Sequence, residues 1–188
     1  MTAPRQAPLS VERIVDAACR IVERDGLAGL SMRKLGAALD VDPMAVYHHV
    51  ADKRELLALV TARTIGELAP PDPTAPWDDR VRQWATSYWD VVARHRDLTL
   101  AGLADPAIAA GGLASTEPLV AAVVDSGLPA ELVEPTAFLV VDAVHGSALS
   151  GVTAKTPRER NRELARLRAA FEVGLDTVIA GIAARTGT

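Results

Sequence analysis

The chain has 188 residues, of which 49% are hydrophobic, 23% charged and only 4% aromatic. That balance excludes a disordered chain and leaves one large domain, or a small domain joined to a larger one, with a core that needs no disulfides. The single cysteine, Cys19, excludes an intrachain disulfide and a four-thiolate zinc site. The net charge of −4 speaks against nucleic acid as a partner, but the average hides an asymmetry: residues 1–66 carry 9 Lys and Arg against 8 Asp and Glu, the remainder 11 against 16. A near-neutral head on an acidic body can meet DNA through the head alone. Residues 1–8 are short and polar, and the apolar runs at 119–124 and 137–141 fall short of the ~20 residues that cross a bilayer. A cytoplasmic chain without a membrane segment is expected.

In chain order, Ser10 caps a first helix over about 11–24, with Ile14, Ala17, Ala18, Ile21 and Val22 at helical spacing and Gly26 as its stop. Ser31 caps a short second helix with Leu35, Ala38 and Leu39 on its apolar face. Asp42 followed by Pro43 starts a third, which reaches only about His49, and Asp52 opens a fourth running to about Leu68. Four prolines within 69–76 stop any helix there and mark a hinge between packed parts. An amphipathic helix follows over about 77–95, with Trp77, Val81, Trp84, Tyr88, Val91 and His95 in one stripe. Shorter helices are expected over 98–104 and 116–126, separated by a turn at 109–112. A long apolar helix from Pro129 reaches about Gly151 and bends near Pro135, and a loop covers 153–157. Thr156 and Glu159 form a capping box for a last helix to about Arg185. No strand-like alternation occurs. The fold class is all-α, with about nine helices: a three-helix head with a helix-turn-helix and a helical body.

The informative stretch is 30–57: a Ser-led helix, a four-residue turn, a very short helix, then a capped helix. A helix-turn-helix needs this form, because the second helix must be short enough to present its first turn to base edges. Three packing helices of some bundle would have the same outline. No Gly-rich phosphate loop, His-Glu-x-x-His or nucleophile elbow occurs, so an enzyme is not expected.

The residues Ser31-Met-Arg-Lys-Leu35, Leu39-Asp-Val-Asp-Pro43, Val46-Tyr-His-His-Val50 and Asp52-Lys-Arg-Glu-Leu-Leu57 resemble the DNA-binding head of the tetracycline-repressor (TetR) family of transcriptional regulators. The likeness covers 10–68, and 171–181 resembles the last helix of that family's C-terminal domain. The resemblance implies a DNA-binding domain over 9–68 and an effector-binding and dimerisation domain over 77–186. It implies a homodimeric repressor, released from a palindromic operator on double-stranded DNA by a small, largely apolar effector. The alternative is a helical ligand-binding or adaptor bundle that does not touch DNA.

In that frame Ser31 and the second helix's N-terminus can donate to a phosphate, and Arg33 can read guanine or form a surface ion pair. Pro43, Met44 and Ala45 open the third helix, where Met44 and Ala45 suit a thymine methyl. Tyr47 suits a phosphate, or a half-buried core position. His48 and His49 can donate to base or phosphate; pointing about 100° apart they make a poor metal pair. Lys53 suits a phosphate clamp. In the body, Trp84, Tyr88, His95, Phe138, Asp142 and His145 are the candidate effector residues, with core packing as the bland reading for each. Asp142 and His145, three apart on an apolar helix, can satisfy each other, face a partner chain or hold a ligand. Gly146, Phe171, Leu175, Val178 and Ile182 are the candidate dimer seam. Only His95 and His145 are available in the body, so the histidine-based magnesium–tetracycline site is not evident. No tetracycline, metal or other cofactor is expected.

Overall fold

A computed structural model of the chain describes residues 8–151 and 156–186. Among these residues there are ten α-helices and two 3-10 turns, and no strand. Helix α1 (Val11–Asp25) begins where the Ser10 hydroxyl oxygen accepts from the Arg13 amide at 3.3 Å. It ends at Gly26, whose φ of 70° few other residues adopt without strain. A 3-10 turn (Leu27–Gly29) leads to α2 (Met32–Leu39), α3 (Pro43–Tyr47) and α4 (Lys53–Ile65). Then come α5 (Trp77–Arg94), α6 (Arg96–Ala104), α7 (Pro106–Ala109), a second 3-10 turn (Ala110–Thr116), α8 (Glu117–Asp125), α9 (Ala130–Ala148) and α10 (Pro157–Thr186).

Most boundaries fall within two residues of the sequence reading, but there are differences. Helix α4 stops at Ile65, not Leu68, and α9 continues through Pro135 to Ala148, short of Gly151. Helix α7 was not foreseen: Asp105 followed by Pro106 repeats the Asp-Pro start of α3, and the Asp105 carboxylate accepts from the Ala107 amide at 3.0 Å. The expected turn at 109–112 is the passage from α7 into the second 3-10 turn. The capping box forms as expected, the Thr156 amide donating to the Glu159 carboxylate at 3.0 Å and the Glu159 amide to the Thr156 hydroxyl at 3.3 Å. Most of the loop expected over 153–157 lies outside the described residues.

Apolar length also needs correction. Taken together, Pro106–Asp125 forms a 20-residue helical run of mean hydropathy 1.6, long and apolar enough by length and composition to cross a membrane. Ala and Gly supply much of this run, so it holds no long uninterrupted stretch of large apolar residues. It comprises three short elements, and α8 buries Leu119, Ala122 and Val123 in a protein core.

The chain forms two compact units that do not follow sequence order. One holds the residues up to Thr64 together with Asp97–Gly111; the other holds Ile65–Arg96 and the residues from Gly112 on. In the first, Ile14, Ala18, Leu35, Val46, Leu56 and Val60 share a core that also takes in Leu98 and Ile108. In the second, α5, α8, α9 and α10 pack around Trp84, Trp89, Leu119, Val140, Val144 and Leu175. The proline-rich segment belongs to this second unit and is pinned to α5. The Ala69 amide donates to the Ser87 hydroxyl at 2.9 Å, and the Asp72 amide to the Gln83 side-chain oxygen at 2.8 Å.

Candidate nucleic-acid interface and effector site

The head's candidate surface is built by two caps and one close approach. Ser31 accepts from the Lys34 amide at 3.2 Å, and Asp42 from the Met44 amide at 2.7 Å, so α2 and α3 both start at short polar side chains. Between them Asp40 takes the left-handed conformation, with φ 56°. Gly36 lets the turn fold back on α2: a Cβ there would sit 2.9 Å from the Val41 carbonyl oxygen and 3.1 Å from the Pro43 nitrogen. Only glycine allows that backbone approach without a shift. Val46 is then buried completely, which orients α3.

With Val46 inside, Met44 and Tyr47 of α3 point out. Met44 is 64% exposed and Tyr47 42% exposed, so Tyr47 is not a core ring. Ser31, Arg33, His48, His49 and Lys53 are exposed, while Pro43 and Ala45 are partly covered. Among the described residues, Arg33 and Lys53 have no ion-pair partner, whereas Lys34 lies 3.5 Å from the Asp25 carboxylate. The nine candidate positions thus lie on α2, on α3, on the residues that flank these two helices, and at the first residue of α4. Sequence reasoning passed over Gly36, Arg54 and Asp105. The Arg54 guanidinium forks onto the Asp105 carboxylate with contacts of 2.6 and 2.5 Å. A residue 51 positions away carries no local signal of that pairing.

The body's candidates separate. Trp84 is fully buried and its indole N–H donates to the Ser115 carbonyl at 2.8 Å. Its ring lies 4.9 Å from that of Tyr88, which lies 5.5 Å from the His145 imidazole. The Tyr88 hydroxyl and His145 Nε2 are hydrogen-bonded at 2.8 Å. Burial pushes the Tyr88 phenol up to about 12. Burial lowers the His145 imidazole below its ordinary value, against the opposing pull of the Asp142 carboxylate. The pair is therefore neutral near pH 7 and sits beside an apolar wall. His95 lies at the C-terminal end of α5, its Nε2 3.8 Å from the Glu67 carboxylate.

Phe138 and Asp142 are exposed and do not join the Trp84 cluster. The buried line of α9 is Val133, Ala137, Val140, Val144 and Ala148. At about 100° per residue, the stripe through 138, 142, 145 and 149 lies roughly a quarter turn or more from it. Only His145, on the near flank, reaches Tyr88.

The expected dimer seam also needs correction. Phe171, Leu175 and Ile182 are buried in the body's own core, Leu175 to 1% exposure, and Val178 packs beside them. An amphipathic chain-end helix looks the same from sequence whether its apolar stripe covers its own body or a partner. Gly146 does lie on the open face of α9, where an added Cβ would meet nothing within 4 Å. A groove of about 210 Å³ on this body is lined by Leu128, Thr136, Leu139, Val178, Gly181 and Arg185, among others, not by the Tyr88–His145 pair. Among the described residues no group of three or more His, Cys, Asp or Glu could hold a metal ion.

Comparison with known proteins supplies a frame for this geometry. The family model described as bacterial regulatory proteins, tetR family, matches residues 14–60, from α1 into α4. An HTH-type transcriptional regulator of Saccharopolyspora erythraea is 36% identical over 112 residues, 59% of this chain and 42% of that protein. The chain spans less than half the length of the curated relatives it matches first. Among solved structures, the TetR family protein ActR of Streptomyces coelicolor in complex with (S)-DNPA superposes with a TM-score of 0.76 at 29% identity, covering 96% of this chain and 100% of ActR. BioQ with its double-stranded DNA operator gives 0.75 at 27% identity, covering 94% and 99%. Residues 14–60 thus match the tetR family of bacterial regulatory proteins, and the fold of the whole length is similar to that of a solved TetR family protein.

Proposed function

We propose that the protein is a cytoplasmic transcriptional regulator, not a catalyst. In this reading it represses from a palindromic operator as a homodimer and is released by a small effector. The observation that carries the reading is the presentation of α3: Gly36 seats the turn, Val46 anchors the helix, and Met44, Tyr47, His48 and His49 stand exposed beside Arg33 and Lys53. Lys53, Tyr47 and Ser31 serve as phosphate contacts, which position the head. Arg33, Met44, Ala45 and His48 face base edges, which specify the site. The structures of BioQ with operator DNA and of ActR with a small molecule support the two halves of the proposal. In this reading the DNA-binding domain expected over 9–68 is narrowed at Thr64 and gains 97–111, and the body expected over 77–186 gives up that segment and extends back to Ile65.

The dimer surface is reassigned to the outer faces of α9 and α10. Phe138, Leu139 and Val173 are each more than half exposed. At Gly146, Gly174 and Gly181 an added Cβ would meet nothing within 4 Å among the described residues. Large exposed side chains beside bare glycines suit a second pair of helices packing closely. For the effector, the neutral Tyr88–His145 pair against Trp84 offers one or two polar handles in an apolar setting, which suits an uncharged aromatic compound. His95, Phe138 and Asp142 lie apart from this cluster and leave the effector set.

The test is selection of bound fragments from genomic DNA, followed by binding to the selected site and to random DNA at several salt concentrations. Salt-dependent binding with a palindromic consensus is expected. No binding to any fragment at low salt would favour the adaptor reading.

A further inference from the structure

Helix α4 lies between two layers of its own compact unit. Leu56, Leu57, Val60 and Thr64 face the head's core. Arg54, Ala58 and Ala62, four residues apart, form a second line that meets the segment 97–111. Arg54 forks onto Asp105. A Cβ on Gly111 would sit 2.4 Å from the Ala58 carbonyl oxygen and 3.3 Å from the Ala62 Cβ. Leu98 and Ile108 anchor the same segment in the head's core, at 3% and 6% exposure.

The first turn of α4 therefore carries two adjacent cations in different states. Lys53 has no ion-pair partner among the described residues, while Arg54 is held by a carboxylate at bidentate distance. Asp105 is itself fixed, because it also caps α7. We infer that Asp105 is a specificity-determining positioning residue: it neutralises Arg54 and holds it on the 97–111 segment, leaving Lys53 as the cation that α4 offers to a phosphate. The inference rests on the DNA-binding reading above. Its physical content is that a cation on a long, flexible side chain next to the interface strengthens contact with every DNA sequence alike, and so erodes discrimination. Masking it keeps the sequence-independent share of binding low.

Two substitutions break the same ion pair and separate this role from a merely structural one. Asp105→Asn frees Arg54 while asparagine can still cap α7. It should bind random DNA several-fold more tightly, steepen the salt slope by about 0.9, and narrow the ratio of operator to random affinity. Arg54→Gln breaks the pair without freeing a cation and should leave slope and ratio near wild type. The double variant Arg54→Gln/Asp105→Asn should return the slope to the wild-type value. If the two single variants change the slope and the ratio in the same direction, or if Asp105→Asn leaves both unchanged, the inference is overturned while the DNA-binding reading stands. If the wild-type protein shows no salt-dependent binding to any DNA, the functional reading fails first. Thermal unfolding of each variant, expected to shift alike for the two single variants, controls for loss of fold.

Discussion

The head and the body solve the same problem, presenting a few side chains from a helical core, in opposite ways. In the head the candidate surface lies within 31–53, and each side chain is aimed by a local device: a cap at Ser31, a cap at Asp42, a close approach at Gly36 and a buried Val46. In the body, the pair that forms between two candidate residues, Tyr88 with His145, joins positions 57 apart on two helices. Its position depends on how α5 and α9 rotate about their axes. Local devices leave marks in sequence; helix rotation is decided by everything packed against the helix.

The largest effect should come from the body's core. Leu175→Ala removes a side chain that is 1% exposed and should cost about 2–5 kcal/mol in urea unfolding. Two residues earlier on the same helix, about half a turn round its axis, Val173 is 69% exposed. Val173→Glu should leave monomer stability within about 0.5 kcal/mol but shift sedimentation toward a monomer. A destabilisation by Val173→Glu as large as that of Leu175→Ala would erase the distinction between the faces of α10.

The next effects are the head's. Gly36→Ala forces a Cβ against backbone atoms that cannot swing away, so it should cost about 1–3 kcal/mol and weaken DNA binding with it. Arg33→Ala should cost about 1–3 kcal/mol at the selected operator if its fork reads a guanine, and less on random DNA. Equal losses on both would make Arg33 a backbone contact. Lys53→Ala should lower the salt slope by about 0.9 on all sequences.

The smallest effects belong to the polar pair. Tyr88→Phe should cost about 0.5–1.5 kcal/mol and blunt the response to an effector without changing operator affinity. The pH dependence has a definite sign. Burial holds folded His145 below the ordinary imidazole value of about 6.5, so the unfolded chain takes up the proton more readily. That contribution is fully present above about pH 6.5 and is lost as pH falls toward the lowered folded value. Urea unfolding across this range should show a steeper acid loss in wild type than in His145→Gln. Equal slopes would show that His145 is not buried in solution.

Much of the fold was legible because helix starts are written in short polar residues and apolar spacing. Ser10, Ser31, Asp42 and Thr156 all cap where the sequence says they should. The exposure of Met44 was legible for a further reason: a five-residue helix that buries Val46 turns its first exposed residues toward solvent. Helix α7 was missed although Asp105-Pro106 carries the same mark as Asp42-Pro43, because a four-residue helix has too few turns to show a period.

Sequence by itself determined the helical class, most of the caps and the order of the longer elements. It did so because these are set by residues within one or two turns of each other. Tertiary structure alone decided that Phe171, Leu175 and Ile182 close the body's own core, that Phe138 and Asp142 face outward, and that 97–111 joins the head beside α4. An apolar stripe specifies that a face will be covered, not by what. A charge such as Arg54 finds its partner only when segments far apart in the chain are brought together by burial elsewhere.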